Sequence, residues 1–419
     1  MTVSPQPPHA ADTPPDAPRK GPGRVEFIAL LAMLFASIAF SIDAMLPALP
    51  EIGAALTPGD LNRAQLVLTS FVLGMGIGTL FTGPLSDTFG RKPVILGGLA
   101  LYVVSALVAA QAETLEGLLG ARLVQGLGAA GPRVVVLAIV RDLYSGRNMA
   151  RIMSFVMMVF TLFPALAPSL GAVIIAGTGW RGVFWAFVLF AGIAALWLGL
   201  RLPETLPRES RRPFRARTLW AAVRELLSHP VVRISIGVQA LCSATMFSML
   251  SSVQQIYDVT FGQGEWFPVW FGVAAVLASS ASFVNARLVG RLGMRRIVTT
   301  VLMVQVGVSA GAIAIFATGL GGTAGFAVFL IWQVSVFFQM GLTMGNVNAI
   351  AMEPVGHIAG LASSVIGAVA TVLAVLMAVP VGLMFDGTPL PLAIGIFLET
   401  ALSLLLMLRL ARREAVQPA

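Results

Sequence analysis

From about Val25 to Leu410 the chain is a succession of apolar runs, each near the ~20 residues that cross a bilayer and joined by short polar connectors. Hydrocarbon offers no water to backbone N–H and C=O groups, so each run must satisfy its own hydrogen bonds, and helices are the local solution. A chain of 419 residues has room for about a dozen such spans. Its side chains agree, being 57% hydrophobic and 11% charged, with mean hydropathy +0.88. Soluble domains carry about 25% charged residues.

The net charge of +8 does not imply a nucleic-acid partner, because the cations sit at the ends of the runs and form no groove-like stretch interleaved with aromatics. Of the 27 Lys and Arg residues, Arg63 and Arg181 fall on one side of the expected topology, Arg122 and Arg133 lie within a span, and the rest gather on the other side. By the positive-inside rule that side is cytoplasmic, and both termini are expected there. Cys242 is the one cysteine and the three histidines are scattered, so no disulfide within the chain and no metal site is expected. No phosphate-binding loop of the Walker type occurs, which argues against direct ATP use and against an enzyme.

Four stretches carry more than hydropathy. The first, Gly83-Pro-Leu-Ser-Asp-Thr-Phe-Gly-Arg-Lys-Pro93, reads as a tight loop between two spans. Gly83 and Gly90 permit sharp turning, Pro93 suits a first helical turn, Asp87 can face an arginine, and Arg91 and Lys92 hold the loop inside. Arg141, beyond the fourth span, is placed to pair with Asp87. The second stretch, Ser41-Ile-Asp-Ala-Met-Leu-Pro-Ala-Leu-Pro50, puts Asp43 inside the first span near its outer end, where an ionisable group faces a cavity or a partner, or snorkels to the surface. In the third, Arg122 and Gln125 share a helix face, and Arg133 returns to nearly the same face further in, either lining a cavity or snorkelling to the rim. Rise per residue puts Asp43 about 27 Å along its helix and Arg122 about 10 Å along the antiparallel one, so the two can meet. Protonation of Asp43 would then answer both to that cation and to the dryness of its surroundings, which suits a proton switch. The fourth, Pro164-Ala-Leu-Ala-Pro-Ser-Leu-Gly171, places Pro164, Pro168 and Gly171 on the fifth span. Elsewhere Gln254, Gln255 and Glu399 are polar residues in apolar surroundings. They are possible cavity residues, with a structural contact favoured for Glu399.

These stretches resemble signatures of the major facilitator superfamily. The first matches its loop 2-3 motif, with Thr88 where arginine is usual. Arg122 to Gly128 resembles its helix 4 motif, whose arginine is implicated in proton coupling, and Pro168 to Gly171 resembles the antiporter motif, with Ala167 where glycine is usual. The Asp43, Leu46, Pro47, Leu49, Pro50 pattern looks like the Bcr/CflA branch of drug:proton antiporters. The resemblance implies an all-α integral membrane protein with twelve transmembrane helices in two six-helix bundles. It divides the chain into a disordered cytoplasmic tail (1–24), an N-terminal bundle (25–200), a cytoplasmic linker (201–232), a C-terminal bundle (233–410) and a second tail (411–419). A weak repeat supports the two halves, since Ala286 to Arg296 aligns with Gly83 to Pro93, with Gly293 on Gly90. The function implied is proton-coupled multidrug efflux, and with it antibiotic resistance, at the bacterial inner membrane. The expected partners are a small amphipathic substrate, protons and lipid, and the protein is expected to act as a monomer. The proton gradient, with no cofactor, supplies the energy. Asp43, Arg122 and Gln125 are the expected coupling residues, and Gly83, Asp87, Gly90, Arg91, Lys92 and Arg141 the cytoplasmic gate. Export of one endogenous metabolite, such as an amino acid or a metal-chelating compound, is the alternative.

Overall fold

A computed structural model describes residues 21–214 and 216–416. The expected tails at 1–24 and 411–419 fall partly outside the described residues, and Arg215 falls wholly outside them. The chain forms helices α1 (Arg24–Asp43), α2 (Leu49–Leu56), α3 (Leu66–Phe89), α4 (Arg91–Ala110), α5 (Leu115–Leu143) and α6 (Gly146–Arg201), then a linker helix α7 (Ala216–Ser228). Helices α8 (Pro230–Gln255), α9 (Phe267–Leu292), α10 (Met294–Phe316), α11 (Gly322–Met352), α12 (Ala359–Leu383) and α13 (Leu390–Val416) follow.

Among the described residues 11 helical segments are long and apolar enough to span a bilayer, and one of them, α6, runs for 56 residues. A straight helix of that length would be about 84 Å long, far beyond any bilayer. It breaks at Gly179, whose φ of 68° and ψ of −179° suit glycine alone. There the chain doubles back, so that a Cβ on Gly182 would lie 3.3 Å from the Ile174 side chain. The ends of the two arms confirm the reversal. Before the first arm, Tyr144 stacks near Phe27 at the start of α1. The turn meets Glu51 beyond the end of α1, and Arg201 at the end of the second arm returns to Glu26. The segment therefore crosses twice, and the chain makes twelve crossings in two six-helix bundles.

Glycine, not side-chain interlock, sets the spacing within the first bundle. Gly74 of α3 lies against the Leu123 backbone of α5, and Gly126 of α5 lies against the Phe71 backbone of α3. A Cβ at either position would collide with a carbonyl. Lipid supplies no hydrophobic drive between helices, so such close backbone approach is how they gain packing energy. The bundles meet where α3 packs on α12 and α6 on α9.

The stretch expected as a loop over Gly83 to Pro93 is almost entirely helical. Helix α3 continues to Phe89, α4 begins at Arg91, and Gly90 alone, at φ 104°, makes the break. Pro84 inside α3 did not end the helix, while Pro93 does sit in the first turn of α4. The repeat has the same geometry, with Gly293 at φ 77° between α9 and α10. Trp180, next to the break at Gly179, is buried against Phe184.

Replacing Gly126 with alanine should destabilise the protein by roughly 1–3 kcal/mol, because backbone must move to admit the methyl. Gly120→Ala on the same helix, with open space at its Cβ, should stay within about 0.5 kcal/mol. Thermal unfolding of the purified protein measures both.

Candidate functional site

Three polar centres interrupt the apolar interior. The first lies at the arginine-rich end. The guanidinium of Arg91, almost fully buried, donates from Nε to Asp142 at 2.9 Å and from Nη1 to Asp87 at 2.6 Å and to the Ser86 hydroxyl at 2.7 Å. Helix α5 thus supplies Asp142, not Arg141, to this hub. The expected Asp87–Arg141 pair is absent among the described contacts, because Asp87 is already held by Arg91 one turn away on the chain. The N-terminus of α4 is capped from a distance. Glu204, past the end of α6, accepts the Arg91 N–H at 2.9 Å and the Lys92 N–H at 3.1 Å. A carboxylate on exposed N–H groups at a helix start is favourable on both hydrogen-bond and dipole grounds. Lys92 reaches the Gly199 carbonyl at 2.7 Å, and the Arg212 N–H donates to the Asp87 carbonyl at 3.0 Å. Thr88 donates its hydroxyl to the Arg212 carbonyl at 2.8 Å. The linker is thereby strapped onto the Gly83–Lys92 stretch.

The second centre is in the core of the first bundle. Arg122 is completely buried, and its three nitrogens donate to the Val67 carbonyl at 3.2 Å, the Gln125 side chain at 2.7 Å and the Ser41 carbonyl at 2.9 Å. Its cationic carbon sits 4.4 Å from the Phe71 ring centre, with Phe184 and Phe187 further off. Ser41 also shares a hydrogen bond with the Tyr102 hydroxyl. Gln125 is therefore a true partner of Arg122, as helix spacing predicts. Asp43 is not. It is buried at the last turn of α1, 5% exposed, and makes no ion pair or hydrogen bond among the described residues. The expected Asp43–Arg122 pair fails because Arg122 is captured two residues earlier, at Ser41, on another face of α1.

Gly171 joins this region. It lies so close to the Ala44 carbonyl, next to Asp43, that a Cβ would collide. Pro164 and Pro168 leave the backbone helical, with Gly179 the one non-helical residue of α6. Between them Ala165 turns its carbonyl to α9, 2.8 Å from where a Cβ on Gly272 would stand. Arg133 is half-buried about 15 Å before the end of α5, and its Nη1 is enclosed without a partner.

The third centre, at the opposite end, is uncharged and joins the two bundles. Asn62 donates to the Phe385 carbonyl at 2.7 Å and the Leu383 carbonyl at 3.2 Å. Gln65 donates to the Gly382 carbonyl at 2.8 Å and to the Gln255 side chain at 2.7 Å, and Gln255 donates to the Leu61 carbonyl at 3.3 Å. Gln255 thus belongs to a junction between bundles. Gln254 is buried beside it with an unpartnered oxygen. In the second bundle Glu399 of α13 accepts a hydrogen bond from Ser248 of α8 at 3.0 Å, a contact within that bundle. Sequence reasoning missed Glu204, Asn62, Gln65 and Tyr102. None of these carries a local signal in the sequence. No group of side chains suited to a metal occurs among the described residues.

Residues 29–408 match the family model described as Major Facilitator Superfamily. The chain is 30% identical to the bicyclomycin resistance protein homolog of Haemophilus influenzae, over 87% of this chain and 91% of that protein. It is also 30% identical to multidrug resistance protein MdtL of Escherichia coli, over 78% and 80%. Among solved structures, a partially occluded inward-open form of the xylose transporter XylE from E. coli superposes with TM-score 0.71 at 13% identity, over 92% of this chain and 97% of that one. The nucleoside transporter NupG gives 0.72 at 12%, over 92% and 98%.

If Asp142 holds Arg91, Asp142→Asn should cost roughly 1–2 kcal/mol by turning a charge-assisted bond to a buried guanidinium into a neutral one. Arg141→Gln should change stability by no more than about 0.5 kcal/mol. Equal losses in thermal unfolding would restore Arg141 to the hub.

Proposed function

The chain belongs to the Major Facilitator Superfamily, and from that premise we propose that it exports small amphipathic compounds in exchange for protons, by alternating access across a bacterial inner membrane. It is a membrane transporter, not an enzyme. Relatives named for bicyclomycin and multidrug resistance support drugs of the bicyclomycin and chloramphenicol kind as substrates. The excess of cations at one end supports a cytoplasmic location for that end and for both termini.

Asp43 carries the reading. It is a buried carboxyl in an apolar bundle with no cation fixed to it among the described residues. An acid locked in an ion pair is a structural element, whereas one left free inside a membrane is placed to exchange a proton. In the proposed cycle a periplasmic proton loads Asp43 and substrate leaves. Arg122 and Gln125 act on that site through the Ser41 carbonyl, as positioning residues at the end of α1. Gly171 transmits the motion of that end to α6, and Ala165 carries it to α9. The Arg91 hub latches the cytoplasmic end, and the amides of Asn62, Gln65 and Gln255 latch the periplasmic one.

Asp43→Asn should reduce export driven by a pH gradient in proteoliposomes at least tenfold, while substrate counterflow without a gradient persists. Wild-type coupled export by this variant would remove Asp43 from the mechanism.

The periplasmic latch has its own test. Asn62→Ala with Gln65→Ala deletes four of the five hydrogen bonds that join the bundles there. A membrane-impermeant maleimide should then label Ser251→Cys, buried just beneath Gly382, several-fold faster from the periplasm. Unchanged labelling would mean that the amides do not close that end.

A further inference from the structure

The displaced Arg141 leads to a site that the transport reading does not use. A cavity of about 420 Å³ lies at the arginine-rich end, where α3, α5, the linker and the start of α12 meet. Its charged lining residues are Asp87, Arg91, Arg141 and Arg212. Asp87 and Arg91 face one another in an ion pair, and Arg91 is further balanced by Asp142. Arg141 and Arg212 make no side-chain hydrogen bond or ion pair among the described residues. The backbone of each is nonetheless fixed in place. Arg141 lies on the last turn of α5, and Arg212 is pinned through its main chain to Asp87 and Thr88.

The guanidinium of Arg141 points across the gap to the second bundle, 3.8 Å from where a Cβ on Gly360 would stand. Gly360 is in the first turn of α12, which runs for 25 residues and has no side chain capping its start. That start carries partial positive charge. Two arginines and a helix start of the same sign border one cavity, and like charges there repel one another. A ligand with carboxylate or phosphate oxygens turns that repulsion into attraction, and guanidinium is suited to bind such oxygens in pairs. Phe214, Ile358 and Leu361 supply an apolar wall beside the charges.

We propose that this cavity binds an anionic group, a carboxylate or a phosphate, held between Arg141 of the first bundle, Arg212 of the linker and the start of α12 in the second. Such a ligand bridges the bundles, so its arrival and departure bear on how readily this end opens. The site stands whichever way transport runs and whatever drives it.

The test uses the full-length protein in nanodiscs of neutral lipid. Citrate and inorganic phosphate are titrated at constant ionic strength while the unfolding midpoint is followed, and a parallel set of nanodiscs contains phosphatidylglycerol. A saturable rise in midpoint is expected with at least one of these anions. Arg141→Gln and Arg212→Gln should each weaken the apparent affinity at least about fivefold, Arg141→Lys should restore part of it, and Arg63→Gln at the far end should leave it unchanged. A response to soluble anions assigns the site to a dissolved ligand, and a response confined to phosphatidylglycerol assigns it to a lipid headgroup. Both outcomes support the anion site. Midpoints that rise with none of the probes, or that rise equally in the Arg141 and Arg212 variants, overturn it. Midpoints of the variants without anion check that each one folds.

Discussion

The backbone contact between α3 and α5 is the constraint on which the first bundle rests. Gly74 on Leu123 and Gly126 on Phe71 bring two main chains together where no side chain could stand between them. That spacing delivers the Val67 carbonyl and the Phe71 ring of α3 to the guanidinium of Arg122 on α5. A buried charge in an apolar bundle is costly unless its donors are met. Here carbonyls, an amide and aromatic faces meet them and no carboxylate is spent. Because Arg122 needs no acid, Asp43 is left without a counter-ion. The freedom of Asp43 thus follows from the glycine packing between α3 and α5.

The two ends of the molecule are held by different chemistry. At one end Arg91 gathers Asp87, Asp142 and Ser86, while Glu204 and the linker bind the same stretch from outside. Those contacts hold the first bundle and the linker together, and ion pairs there respond to salt in proportion to their exposure. At the other end neutral amides reach from the Leu61–Gln65 turn to the carbonyls that end α12. Carbonyls at a helix end run out of helical partners, so Asn62 and Gln65 add acceptor bonds at Gly382, Leu383 and, just past the helix, Phe385. Opening this end exchanges amide–carbonyl bonds for water bonds, a nearly balanced trade. Moving no net charge, it is a contact that can be broken repeatedly at low cost.

Much of the fold could be read from the chain because the bilayer allows few alternatives. Apolar length marked the spans. Gly90 was legible as the turning point, yet the helix around it was not, since Pro84 and Ser86 look like loop residues although α3 continues through them. The pair of Arg122 and Gln125 followed from helical spacing. Neither expected ion pair forms, because Asp87 is held by Arg91, and Arg122 is satisfied by two carbonyls and Gln125. Glu204 and the amides at Asn62 and Gln65 depend on contacts between distant elements, which no local pattern encodes.

Comparison of the two buried acids sharpens the assignment of roles. Glu399 accepts a hydrogen bond from Ser248 across α13 and α8, within one bundle, and nothing in that contact touches the other. Asp43 ends α1 beside Ala44, whose carbonyl lies against Gly171 of α6. A few residues earlier on α6, Ala165 meets Gly272 of α9 in the second bundle. In the proposed cycle a change at Asp43 is therefore felt by an element shared between bundles, while a change at Glu399 remains inside its own. Contiguity of this kind is a physical route, not a measured coupling. It does explain why small residues, and not charged ones, occupy Gly171 and Gly272. A side chain at either would pry apart the contacts through which the end of α1 reaches the other half of the molecule.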